Sequence, residues 1–142
     1  MRSGFRGTVI GLLACAASVA TSGNARAADD MQLEVGKKQY MQYCATCHGP
    51  SGTGTDGVAS ALFTKAPTNL TLLAKNNGGE FPMMEVIGIV KGDQAIAAHG
   101  SRKMPVWGQI LGKPLEDGMY GQDAADAQIL TIGKYLESIQ AK

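Results

Sequence analysis

At 142 residues, with 13 basic against 12 acidic side chains and a net charge of +1, the chain has no basic field of the kind that nucleic acid or an anionic membrane surface requires. Nineteen glycines and an aromatic content of 6% leave little material for a core. That excludes a multidomain protein and points to one small domain.

The chain opens with the pattern of an export signal. Arg2 and Arg6 make a positive stretch, Val9 to Ala20 is an apolar run, and Ala25-Arg26-Ala27 is a small-x-small cleavage site. The expected division is a signal peptide over 1–27 and a mature domain over 28–142, placed in the periplasm. The apolar run is too short for a confident membrane span. Two alternatives tether the chain instead: an uncleaved anchor, or lipidation of Cys15, which follows Leu12-Leu13-Ala14. Losing 27 of 142 residues leaves 115, with no membrane span expected among them. Losing Arg2, Arg6 and Arg26 takes 13 basic residues to 10 against 12 acidic, so the charge becomes −2. Cys15 leaves too, and of three cysteines only Cys44 and Cys47 remain.

Gly36 to Cys47 reads as the first helix. Val35, Tyr40 and Tyr43 supply its apolar faces, and Gly49-Pro50 stops it. Its end carries Cys44-Ala45-Thr46-Cys47-His48, which reads C-x-x-C-H, the attachment pattern of a c-type haem. On a helix the two thiols sit at i and i+3, with His48 one turn from Cys44. The thiols add across two porphyrin vinyl groups, and His48 Nε2 reaches the iron as proximal ligand. Three other readings of the cysteine pair compete. A thioredoxin-like dithiol would need a βαβ context, which is not seen. A zinc site would need a second cysteine pair, and His99 is the sole other histidine. A structural disulfide leaves the histidine unexplained.

Residues 49–79 are loop-rich, with Gly49, Gly52, Gly54 and Gly57 closely spaced and Asn76-Asn77-Gly78-Gly79 further on. Such a stretch needs a cofactor to pack on. Within it, Ala66-Pro67-Thr68-Asn69-Leu70 offers the Pro67 carbonyl as an acceptor for His48 Nδ1–H. An ordinary proline turn explains it equally well. Phe81 to Gly92 reads as a second helix with Pro82 at its start and Val86, Ile87, Ile89 and Val90 on its apolar side. The Met83-Met84 pair at that start suits core filling better than iron.

Met104 precedes Pro105, Val106, Trp107 and Gly108. Pro105 holds Met104 extended in a loop. A thioether there can point at iron, where its softness favours the ferrous state. His99 is the rival ligand. Trp107 is a candidate pocket wall, its N–H available to a haem propionate or a backbone carbonyl. Arg102 and Lys103 beside Met104 offer a positive patch for a partner, or simply a solvated loop. After a connection over 109–121, the last helix runs from Asp123 to Gln140. Ile129, Ile132, Leu136 and Ile139 make one stripe along it. Gly36 and Gly133 would let the first and last helices approach closely.

The two motifs Cys44-Ala45-Thr46-Cys47-His48-Gly49 and Met104-Pro105-Val106-Trp107-Gly108, between an early and a late helix, give the chain its likeness. It resembles the class I, monohaem bacterial cytochromes c over residues 33–140. The resemblance implies a small all-α cytochrome c fold whose N- and C-terminal helices cross around one covalently bound haem c. It makes Cys44 and Cys47 the thioether residues, His48 and Met104 the iron ligands, and Gly36 and Tyr135 the pair at the helix crossing. The family's simpler members carry Gly-Pro-x-Leu where this chain has Ala66-Pro67-Thr68-Asn69-Leu70. The function implied is one-electron transfer rather than catalysis, by a monomer. Its partners would be redox proteins: a donor dehydrogenase or bc1-type complex, and an acceptor oxidase or reductase. The same domain could also be a fixed subunit of a dehydrogenase or oxidase. A ligand-binding or peroxidatic haem protein is the remaining alternative.

Overall fold

The computed structural model describes residues 22–62, 65–93, 104–112 and 121–141. The regular structure among these residues is helical, with no strand, and the fold is all-α as expected. In chain order the helices are α1 (Ser22–Tyr43), α2 (Ala45–His48), α3 (Leu73–Asn76), α4 (Met83–Lys91), α5 (Trp107–Leu111) and α6 (Gly121–Ser138). Short 3-10 turns at Ser60–Leu62 and Leu70–Leu72 punctuate the long loop between α2 and α4. None of the described helices is long and apolar enough to cross a membrane.

The first helix differs from the expected Gly36–Cys47. It is already helical at Ser22, the first described residue, since 24–35 holds alanines, Gln32, Leu33 and Glu34 and no glycine or proline. Over 26–35 it is exposed on most sides, so it lacks the apolar periodicity that marks a buried helix. The helix also breaks earlier, at Cys44, where φ is −112° before α2 resumes. Likewise the connection expected from residue 109 is helical up to Leu111. Cys15, His99, Arg102 and Lys103 lie outside the described residues, as does most of the expected signal peptide.

The crossing of α1 and α6 dominates the packing. Tyr40 is fully buried, and its ring lies 5.3 Å from that of Tyr135 at 47°. Thr131 Oγ1 donates to Gln39 Oε1 at 2.6 Å, and Lys134 Nζ donates to Gln32 Oε1 at 2.9 Å. Gly36 permits this closeness. A Cβ there would stand 2.9 Å from the Thr131 carbonyl carbon and 3.0 Å from Tyr135 Cβ. Glycine costs a helix interior about 1 kcal/mol relative to alanine, and the crossing offsets that cost.

Gly133 works elsewhere than expected. Its neighbour is Met83 Sδ, so it admits α4 rather than α1. Lys91 Nζ bridges α4 to Asp126 of α6 at 2.9 Å. The buried core is Tyr40, Ala45, Val86, Val90, Ala125, Ile129, Ile132, Tyr135 and Leu136. The expected stripe on α6 therefore faces inward at three of its four positions, with Ile139 packed against the cluster from its edge.

Candidate functional site

Residues 44–48 form one helical turn. His48 N–H donates to the Cys44 carbonyl at 2.9 Å and Cys47 N–H to the same carbonyl at 3.1 Å. The turn thus sets Cys44, Cys47 and His48 together, as the spacing predicts. Both cysteines are half-buried and neither is in a disulfide. Burial, reinforced by the neighbouring Cys47, pushes the Cys44 thiol up to about 12, so it is held as S–H.

His48 is fixed from behind. Its Nδ1 lies 3.1 Å from the Thr68 carbonyl oxygen. A carbonyl only accepts, so Nδ1 carries the proton and Nε2 keeps its lone pair. Burial lowers the histidine pKa and outweighs the Thr68 bond that raises it. The imidazole is therefore neutral, the form a metal requires. The acceptor is Thr68 and not the expected Pro67. The Pro67 carbonyl instead packs on Gly54, where a Cβ would lie 3.0 Å from its carbonyl carbon. Gly54 has φ of 82°, and its N–H donates to the His48 carbonyl at 2.8 Å. A side chain there would push the 66–69 segment off His48.

The loop after His48 is tied to the helix crossing. Tyr40 Oη donates to the Gly49 carbonyl at 2.6 Å, inside the core. Burial raises the phenol pKa well above its ordinary value, so the donor proton is retained. Asp56 closes the same loop, accepting from Ser51 N–H at 3.1 Å; hydrogen bonds, chiefly from Ser51, hold its carboxyl below the usual range. Tyr40→Phe would leave the Gly49 carbonyl buried without that donor. The expected loss is about 1–2 kcal/mol in urea unfolding, with the slope unchanged. An unaltered midpoint would mean that the bond contributes nothing.

Met104 stands in a bend before Pro105, half-buried, as its sequence context suggests. Met104, Trp107 and Cys44 all pack against the same core cluster. The Trp107 ring lies 5.5 Å from Tyr43, at 54°, so the indole lines the side of α1 next to the cysteine turn. Val58 and Leu62 lie 92% and 84% exposed in the segment that follows, where Ala59 N–H bonds the Thr46 carbonyl. Two apolar side chains so exposed, in a segment bonded to the cysteine turn, suit a site that takes a large apolar group.

The donor set fits a covalently bound haem: two unpaired thiols on one turn, and a neutral imidazole whose Nδ1–H is occupied and whose Nε2 is not. Sequence reasoning found these three and missed their supports. The Thr68 acceptor is a backbone atom, which no side-chain pattern reveals. The Tyr40 hydroxyl had a signal, a tyrosine where a purely apolar aromatic would have filled the crossing.

A family model described as cytochrome C oxidase, cbb3-type, subunit III matches residues 31–117, more than half of the chain. No curated protein and no solved structure matches it.

Proposed function

We propose a function from one premise: the chain belongs to the family of cytochrome c oxidase, cbb3-type, subunit III, and is a class I c-type cytochrome. Haem-based electron transfer, with haem c held covalently, comes with that membership. The further reading is a periplasmic one-electron carrier with His/Met ligation. Cys44 and Cys47 would hold the haem as thioethers, and His48 and Met104 would ligate its iron. When bound, the group supplies a reversible one-electron couple. The chain's own residues keep that couple fast and clean. Thr68 fixes the His48 tautomer, and Pro105 keeps Met104 out of a helix. With two protein ligands, neither has to exchange during turnover, so reorganisation stays small.

The observation that supports this reading most is the His48–Thr68 bond, which puts the proton on Nδ1 and leaves the lone pair on Nε2, on a turn carrying both thiols. Export fits the structure as well. Cleavage after Ala27 would leave the exposed residues that precede Gly36, the first residue of α1 described as buried. A donor and an acceptor would dock in turn through small, transient interfaces at the haem edge.

Visible spectra of the purified protein, oxidised and reduced, with and without carbon monoxide, test the assignment. The expected result is a low-spin c-type spectrum unmoved by carbon monoxide at neutral pH. The methionine–ferric charge-transfer band should vanish in Met104→Ala and persist in His99→Ala. Retention of the band in Met104→Ala would overturn the distal ligand, and carbon monoxide binding would point to a ligand-binding haem protein. A second reading, a fixed haem c subunit of a terminal oxidase, is favoured by the family's description. It expects co-purification with a larger membrane-bound chain at high salt, where a free carrier dissociates.

A further inference from the structure

Thr68, the residue that fixes the proximal histidine, sits in a segment without regular structure. Residues 66–69 have no helical hydrogen bonds of their own. Gly54 bears on this segment from one side; from the other it is held through the residues that follow Thr68, where Asn69 Oδ1 accepts from Thr71 N–H at 2.9 Å. Those residues are gripped by the extreme C-terminal end of the described chain. Gln140 Nε2 donates to the Leu70 carbonyl at 2.8 Å and to the Leu136 carbonyl at 2.7 Å. Gln140 Oε1 accepts from Ala74 N–H at 2.9 Å. Ala141 N–H adds a bond to the Thr71 carbonyl at 2.8 Å. On the inner side Leu70 N–H donates to the Gly52 carbonyl at 2.7 Å, closing the turn onto the loop behind His48.

We propose that Gln140 is a positioning residue for His48: by clamping the 70–74 turn to the end of α6, it sets the Thr68 carbonyl against His48 Nδ1. This rests on the haem reading above, and it adds a control on the haem's properties that neither the attachment motif nor the distal methionine provides. One amide satisfies a carbonyl at one end of the turn and an N–H at the other, so it fixes both the position and the tilt of the turn. Sixty-six to seventy residues of sequence separate the partners, which makes this a tertiary clamp rather than a local cap.

The consequence has a sign. A short Nδ1–H···O=C bond makes the imidazole a stronger donor and favours ferric iron. Releasing the turn lengthens that bond, weakens the donor and favours ferrous iron. Gln140→Leu in the haem-loaded full chain should therefore raise the midpoint potential. The expected size is about a threefold shift of the redox equilibrium towards the reduced form. It should also speed exchange of the His48 Nδ1 proton with solvent, followed by NMR in the reduced protein, by about tenfold or more. Gln140→Met keeps the length of the side chain, adds no charge and loses both the donor to Leu70 and the acceptor for Ala74. It should move both readouts the same way, and it serves if Gln140→Leu does not fold.

Thr131→Val is the control. It cuts the Gln39 bond at the helix crossing and should lower the melting temperature without moving the potential or the exchange rate. If the Gln140 variants behave like Thr131→Val, losing stability with both readouts at the parent's values, the inference is wrong. A parent lacking a low-spin, histidine-ligated spectrum would instead mean that the haem reading itself had failed.

Discussion

Gly36→Val should strip the chain of a large part of its stability. A Cβ at residue 36 meets the Thr131 carbonyl oxygen head-on and stands 2.9 Å from its carbon. Both atoms are backbone of α6, so no rotamer change relieves them. The helices must separate, and separation takes with it the Tyr40–Tyr135 contact and the Gln39–Thr131 bond. Overpacking alone costs about 1–3 kcal/mol. With the lost contacts the total should exceed about 4 kcal/mol, against about 5–15 kcal/mol for a whole domain. Gly36→Ala is the graded version. Alanine gains about 1 kcal/mol in helix propensity yet meets the same atoms, so its net effect should still be destabilising. Urea unfolding of the two variants against the parent checks the order. A Gly36→Val protein with the parent's midpoint would mean that the helices do not meet at this point.

Much of this arrangement was legible in the residues, and the parts that were not share a cause. The attachment turn, the α6 stripe and the boundaries of α4 are local facts, written in spacing and in Gly or Pro punctuation. α4 ends at Gly92, whose N–H caps the Gly88 and Ile89 carbonyls. The crossing glycine was legible as well, because a glycine inside a helix needs a reason. The partner of Gly133 was not, since a glycine does not say which helix it admits. The start of α1 was missed because a solvated helix carries no apolar period. The shift from Pro67 to Thr68 moved the acceptor by a single residue, a distinction between two backbone carbonyls that side chains do not encode. Gln140 was assigned to the last helix as its end; in the structure it lies beyond Ser138, and its amide serves a distant turn.

The double variant Cys44→Ser, Cys47→Ser should be colourless and markedly less stable, and both effects follow from one feature of the core. Nine hydrophobic residues are buried among those described, and two of them are alanines. Such a core is thin for the residues described. Val58 and Leu62, in the segment that Ala59 ties to Thr46 of the attachment turn, are almost fully exposed. A porphyrin tethered to this turn would cover apolar surface of this kind. At about 25 cal/mol per Å² removed from water, each ~100 Å² it buries contributes about 2.5 kcal/mol. A few hundred Å² would then rival the net stability of the domain. The tether matters because haem held by ligands alone can dissociate, whereas a thioether keeps its local concentration fixed. Serine is nearly isosteric with cysteine and forms no thioether, so the variant removes the link without removing volume. The expected outcome, in a host that attaches haem to the parent, is loss of the visible spectrum. Thermal unfolding should come at least about 15 °C lower, since about 1 kcal/mol moves a domain of this size by several degrees. If the variant stayed coloured through dialysis, the ligands alone would hold the haem. If it lost its colour and kept the parent's melting temperature, the protein core would be self-sufficient, and the haem would be cargo rather than part of the fold.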